Sequence, residues 1–118
     1  MQSLRHHRVR ELLKREVGAV LRREIPADEA GLITVSDVGL AGDLKSATIY
    51  LGVIGGTAQQ KKALALVNEH RPHLQRLVGR AVVLKYTPKL HFELDTSLER
   101  GNRVLEILDE IERTAPPA

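Results

Sequence analysis

The sequence contains no cysteine, and this absence excludes several kinds of chemistry. Without thiols the chain can form no disulfide, no thiolate zinc site and no cysteine nucleophile, which fits a reducing compartment. Long apolar runs are missing as well, so no membrane-spanning helix is expected. The first ten residues hold arginines and histidines rather than an apolar stretch, unlike a secretory signal. We therefore predict a soluble, cytoplasmic protein.

Aromatic residues are also scarce, since the chain has only Tyr50, Tyr86 and Phe92. Recognition of single-stranded RNA on an aromatic sheet needs exposed rings that stack on bases. Tyr86 and Phe92 fall on the apolar side of a predicted strand, so we expect both rings to lie in the core. The composition therefore favours contacts to the phosphate backbone over base stacking.

The charge is unevenly distributed along the 118 residues, although the net charge is only +3. Residues 1–24 hold seven Lys and Arg against three acids, and residues 61–91 hold seven against one. The acidic excess falls in residues 25–60 and 93–113. If folding joins the two basic stretches, they form a one-sided positive surface of the kind that neutralises phosphates. The alternative is that these are ordinary solvated helix faces.

The first predicted helix spans residues 4–24 and is amphipathic. Its apolar side chains recur every three or four residues, which places them on one face. Arginines at intervals of seven fall on the opposite face, away from the core. The apolar positions are Val9, Leu12, Leu13, Val17, Val20 and Leu21, and the arginines are Arg8, Arg15 and Arg22.

Two strands and two helices are predicted in the middle of the chain. After a polar loop over 27–31, residues 31–40 and 47–54 are rich in β-branched residues and flank a turn at 41–43. Residues 57–69 favour a helix with Thr57 as its N-cap. Pro72 interrupts the helical pattern, so a kink and a third helix ending at Gly79 should follow, with Arg71, Arg76 and Arg80 near the kink.

A long third strand and a last helix complete the predicted order. Residues 82–94 alternate between apolar and polar, and Pro88 favours an edge position because it lacks an N–H. We expect a single α+β domain over residues 1–96, with a mixed three-stranded sheet covered by helices on one face. An acidic helix over 97–113 and a frayed tail over 114–118 should follow it.

Metal binding and catalysis find little support in the sequence. His70 and His73 are three residues apart, but the intervening proline disturbs the register that would aim both rings at one ion. Asp37 and Asp43 could serve a small hydrolase, yet no nucleophile or base accompanies them, and turn roles suit aspartates there. We expect no cofactor, no metal and no enzymatic activity.

Three stretches of the sequence resemble the bacterial ribosome-binding factor A family over nearly the whole chain. They occur in the order and spacing that this family shows, and a fold-level likeness alone would be weaker evidence. The stretches are Arg5-His-His-Arg8-Val9, Ile33-Thr-Val-Ser-Asp37-Val38-Gly-Leu40-Ala-Gly-Asp43-Leu44-Lys-Ser-Ala47-Thr-Ile49-Tyr50, and Leu84-Lys-Tyr86-Thr-Pro88-Lys-Leu90-His-Phe92-Glu-Leu-Asp95-Thr-Ser97.

This resemblance implies a type II KH-like fold with a kinked helix pair where RNA-binding KH domains carry a Gly-x-x-Gly loop. It also implies an assembly factor that binds the free 30S subunit, supports 5′-end processing of 16S rRNA, matters in the cold and leaves before translation. The family usually has Ala-x-Gly at the kink, whereas this chain has His70-Arg71-Pro72. Glycine bends a chain by permissive dihedrals and proline by deleting a hydrogen bond, so the bend should survive with altered geometry.

Together these observations predict a monomeric, non-catalytic RNA-binding protein whose partners are 16S rRNA and the free 30S subunit, with no membrane or small-molecule substrate. An alternative is a protein-interaction module whose basic face docks an acidic partner. The residues expected to contact phosphates are Arg5, Arg8, Arg15, Arg22, Arg71, Arg76 and Arg80.

Overall fold

The computed structural model describes residues 4–96, which form an α+β domain with a mixed sheet, as the sequence predicts. The predicted helix over 97–113 and the tail over 114–118 lie outside the described residues. In chain order the elements are α1 (Leu4–Glu24), α2 (Ala27–Ala30), β1 (Ile33–Leu40), β2 (Ser46–Val53), α3 (Thr57–Glu69), α4 (Arg71–Ala81) and β3 (Lys89–Leu94).

The sheet has the order β1-β2-β3, with β2 in the centre. Strands β1 and β2 form an antiparallel hairpin in which Ile33 pairs with Val53, and a bulge lies between Val35 and Asp37. Strands β2 and β3 are parallel, and Ser46 pairs with Lys89. A parallel pair needs a long crossover connection, which α3 and α4 provide.

The core lies between the helices and one face of the sheet. Along β2, Ala47, Ile49 and Leu51 are buried, while Thr48 and Tyr50 on the other face are only half-buried. The apolar face predicted for α1 is buried as well, apart from the half-buried Leu12. This alternation in β2 and the three-to-four spacing in α1 explain why helices cover only one face of the sheet.

The prediction of a long third strand was wrong, because β3 covers only Lys89–Leu94. Strand β2 begins at Ser46 and pairs there with Lys89, so residues before Pro88 have no partner strand alongside. Pro88 also lacks the N–H that a ladder requires. In this loop the side chains of Val83 and Tyr86 are 97% and 73% exposed. The expectation that Tyr86 lies in the core was therefore wrong, whereas Phe92 is buried as expected.

Helix boundaries differ from the prediction at three places. Ala27–Ala30 forms a short helix instead of a loop. Gly56, not Thr57, occupies the N-cap of α3, and no side-chain hydrogen bond caps it. His70 is both the C-cap of α3 and the N-cap of α4, so α4 begins at Arg71. Pro72 therefore lies in the first turn of α4, where a missing N–H costs little.

Gly18 is a buried glycine inside α1, where α1 packs on β1. A Cβ atom at this position would lie 3.4 Å from Nη1 of Arg22 and 3.9 Å from Cγ2 of Val35, which are ordinary contact distances. Glycine in a helix interior costs about 1 kcal/mol relative to alanine. The site therefore has room for the methyl group that would remove this cost.

We predict that Gly18→Ala raises the free energy of unfolding by about 0.5–1 kcal/mol, measured by urea denaturation. Gly55→Ala is the matched control, because Gly55 has φ +140° and its Cβ would lie 2.8 Å from Cγ of Gln59. That control should destabilise the protein by about 1–3 kcal/mol. Destabilisation by Gly18→Ala would contradict the packing described for α1.

Candidate nucleic-acid interface

The start of α1 is tied to the turn between β1 and β2. The ring Nε2 of His6 lies 3.0 Å from the carbonyl oxygen of Gly42, which accepts the hydrogen bond. Within the turn, Oδ1 of Asp43 accepts a hydrogen bond from the Lys45 backbone N–H at 3.0 Å, and Leu44 has φ 61°. This local bonding is typical of an Asx turn and fixes the backbone that carries Lys45.

The parallel register brings a second lysine next to Lys45. The backbone N–H of Lys89 donates to the carbonyl oxygen of Lys45 at 2.9 Å, where the ladder between β2 and β3 begins. Neighbouring strands lie about 4.8 Å apart, so the two residues are adjacent although they are far apart in the sequence. Both side chains are exposed.

A groove with a volume of about 390 Å³ joins these lysines to the start of α4. Its lining contains three cationic residues and no acidic residue. We call it the kink groove, and its residues are Lys45, Arg71, Pro72, Gln75, Thr87 and Lys89.

Gln75 holds α4 against β3 at the floor of the kink groove. Its Nε2 donates to the Pro88 carbonyl oxygen at 2.9 Å, and its Oε1 accepts from the Leu90 N–H at 2.8 Å. One amide side chain therefore satisfies two backbone groups of the segment that leads into β3. Because both bonds are partly buried, the groove has a fixed wall.

A second cleft, with a volume of about 460 Å³, also has Lys45 in its lining. Lys45 therefore lines one cavity with Arg5 of α1 and the other with Arg71 of α4. We call this the Tyr86 cleft, and its residues are Arg5, His6, Val9, Gly42, Asp43, Leu44, Lys45, Leu84, Lys85, Tyr86 and Pro88.

The remaining predicted arginines of α1 do not line these two cavities. Arg8 and Arg15 are exposed on the side of α1 opposite its buried residues, and Arg15 forms an exposed ion pair with Glu16 at 3.3 Å. The side chain of Arg22 is exposed and extends back along the helix, so that its Nη1 lies beside Gly18.

Arg76 and Arg80 are exposed on the side of α4 opposite the buried Leu74 and Val78. Arg80 lies in the last turn, so it is about 13 Å along the helix axis from Arg71 and does not cluster at the kink. Helices α1 and α4 pack against each other.

Three lysines of these cavities were not among the predicted site residues, namely Lys45, Lys85 and Lys89. Lys85 and Lys89 belong to the basic stretch 61–91, but assigning residues 82–94 to one strand concealed the loop that contains Lys85. Lys45 lies in a stretch with acidic excess, and only the strand register brings it to the other cations. No local sequence signal identifies it.

The polar clusters considered for metal binding and catalysis have local structural roles. Nδ1 of His70 lies 2.9 Å from the Leu66 carbonyl oxygen, and Nε2 of His73 lies 3.2 Å from Oε1 of Glu24, which links α4 to α1. Oδ1 of Asp37 accepts a hydrogen bond from the Val38 N–H. Within residues 4–96 no group of three metal-ligating side chains occurs, and no helix there is long and apolar enough to cross a bilayer.

Comparison with known proteins places this architecture in a family. The model of the family "Ribosome-binding factor A" matches residues 5–108. The chain belongs to the ribosome-binding factor A family. It is 39% identical to ribosome-binding factor A of Opitutus terrae over 115 residues, which cover 98% of this chain and 93% of that protein. The protein of Desulforamulus reducens is 36% identical over 109 residues, 92% of this chain and 91% of the other.

Solved structures of ribosome-binding factor A have the same fold. The crystal structure from Thermus thermophilus matches with a TM-score of 0.65 at 20% identity, over 75% of this chain and 93% of that one. A Thermus thermophilus homology model, fitted into an electron-microscopy map of a 30S complex, matches with a TM-score of 0.63 at 21% identity, over 74% and 91% of the two chains. These matches agree with the KH-like fold expected from the resemblance.

We predict that Gln75→Met lowers the free energy of unfolding by about 1–3 kcal/mol, because the Pro88 carbonyl and the Leu90 N–H lose their partner. The same substitution at Gln60 is the control, since the bond from its side chain to the Gly55 carbonyl at 3.2 Å is exposed. Gln60→Met should change stability by less than about 0.5 kcal/mol. Equal effects in urea denaturation would contradict the bridging role of Gln75.

Proposed function

We propose that this chain binds the free 30S subunit through 16S rRNA and assists late maturation of the subunit, including processing of the 5′ end, without catalysing a reaction. Membership of the ribosome-binding factor A family supports this function. The Thermus thermophilus relative fitted into a 30S complex supports the choice of subunit. We further propose that the protein acts as a cytoplasmic monomer.

The observation that carries the proposal is that cations from three elements line two cavities that share Lys45. Arg5 comes from α1, Arg71 from α4, and Lys89 from β3. Within residues 4–96 none of these cations forms an ion pair, and the one carboxylate that lines either cavity is Asp43. Such a surface attracts a polyanion, and each phosphate that it binds releases condensed counterions.

The exposed arginines of the helices extend this surface. Because α1 and α4 pack side by side on the same sheet face, their outward sides belong to one exterior layer. We propose that Arg8, Arg15 and Arg22 of α1 and Arg76 and Arg80 of α4 contact phosphates there. Arginine suits this role because its planar guanidinium can donate two parallel hydrogen bonds to one phosphate.

A non-catalytic protein can assist maturation by binding one conformation of the RNA more tightly than others. Binding then shifts the RNA population toward that conformation by the difference in affinity. The His6 bond to the turn and the Gln75 bonds to the segment that enters β3 hold together the backbone segments that carry these cations. A fixed arrangement of charges selects an RNA shape, which a flexible basic tail would not do.

We predict that Arg71→Ala and Arg76→Ala each weaken binding to purified 30S subunits by about tenfold near physiological salt, because each loses a charge-assisted hydrogen bond to a phosphate. Each should also reduce the slope of log K against log salt by about one. Lys62→Ala is the matched control, because Lys62 is an exposed cation of α3 that lies beside Glu29 and Glu69.

Loss of one positive charge at Lys62 should leave both the affinity and the salt slope unchanged. If Arg71→Ala and Arg76→Ala behaved like this control, the site assignment would be wrong.

Sedimentation of a cell lysate tests the function itself, because the protein should travel with free small subunits and be absent from translating ribosomes. The alternative, docking to an acidic protein, predicts that capture of a partner survives ribonuclease treatment.

A further inference from the structure

Tyr86 is an aromatic side chain held at the protein surface beside a cleft. Its side chain is 73% exposed, and apolar residues line the same cleft. The lining of the cleft includes the buried Val9 and the half-buried Leu44 and Leu84, which pack on the hydrophobic core. Pro88 is fully buried and begins the segment that enters β3. The loop is therefore anchored on both sides of Tyr86 while the ring itself stays in water.

The apolar lining of this cleft has a cationic rim. Arg5, Lys45 and Lys85 all line the cleft, and Nζ of Lys85 lies 5.6 Å from the centre of the Tyr86 ring. None of the three forms an ion pair within residues 4–96. The one acidic residue in the lining, Asp43, uses Oδ1 to accept the Lys45 backbone N–H. The lining therefore holds three cations against one carboxylate around an exposed ring.

An exposed aromatic face and nearby cations match the base and the phosphate of a nucleotide. A base stacks on an aromatic ring whatever its identity, and its phosphate requires a cation within reach. A base inside a duplex has both faces covered by its neighbours, so only an unpaired nucleotide can stack on the ring. The cleft volume of about 460 Å³ is within the range of roughly 300–1,000 Å³ typical of small-ligand sites.

We propose that the Tyr86 cleft binds one unpaired nucleotide of RNA, with its base stacked on Tyr86 and the flanking phosphates held by Arg5, Lys45 and Lys85. This inference rests on the proposed function and adds to it a site that recognises a base. The kink groove and the arginines of α1 and α4, proposed to contact phosphates, respond to the shape of the RNA backbone and not to the face of a base. The Tyr86 cleft adds recognition of an exposed base.

The test uses the full chain and a fluorescein-labelled strand of eight uridines, with an abasic strand of the same length for comparison. Tyr86→Ala should weaken binding to the uridine strand by about five- to hundredfold, since a stacked base contributes roughly 1–3 kcal/mol. It should leave binding to the abasic strand unchanged. Tyr86→Phe keeps the aromatic face and should restore affinity for the uridine strand.

The salt dependence separates stacking from charge in the same cleft. Tyr86→Ala removes no charge and should leave the slope of log K against log salt unchanged, whereas Lys45→Ala should lower it. A spectroscopic readout is also available, because the chain has two tyrosines and no tryptophan. Tyrosine fluorescence should fall when the uridine strand binds, and this change should be absent in Tyr86→Ala.

The outcomes distinguish this inference from the proposed function. If Tyr86→Ala binds the uridine strand as tightly as the unchanged protein, the base site is refuted. The proposed function would still be supported if 30S binding depended on Arg71 and Arg76. An equal loss for the uridine and abasic strands would assign Tyr86 to another contact and also refute it. If 30S binding proved insensitive to the arginines and survived ribonuclease treatment, the partner would be a protein, and both proposals would fail.

Discussion

The parallel pairing of β2 and β3 is the constraint on which the basic surface depends. Parallel neighbours begin at the same edge of a sheet, so the residues that precede them in the chain come together there. In this protein Lys45 immediately precedes β2 and Lys89 is the first residue of β3, and the two are joined through their backbones at 2.9 Å. The crossover must then return to that edge, which brings α4 and the loop with Tyr86 beside the same lysines. Strand topology, more than sequence proximity, therefore creates the site.

The gathered cations repel one another, and the fold opposes this repulsion by rigid packing. The kink groove contains three cationic residues and no carboxylate in its lining, which is unfavourable for the free protein at low salt. Buried residues of α1, β2 and α4, such as Leu13, Ile49 and Leu74, provide the stability that keeps the charges together. A bound polyanion removes the repulsion, so binding and folding stability reinforce each other by linkage.

Sequence periodicity correctly predicted the elements that bury a continuous apolar face. It gave a wrong boundary for β3, where a loop precedes the strand. Helix α1 was predicted over residues 4–24 and occupies them, because its apolar side chains recur at the helical period. The alternation over 82–94 begins well before the true start of β3, since loop residues can alternate in polarity without a partner strand, and Tyr86 within it is exposed. Pro88 marked that boundary in the sequence, but the parallel register that places Lys45 opposite Lys89 is a long-range property that no local pattern encodes.

The irregularity between Val35 and Asp37 has a consequence for how the protein behaves at high concentration. Within residues 4–96, β1 pairs with β2 alone, so its other side could recruit a strand from a second molecule. A bulge twists such an edge and breaks the regular spacing of its free amide and carbonyl groups. A strand of a second molecule would therefore pair poorly with β1, and the bulge disfavours fibril-like stacking at this edge of the sheet.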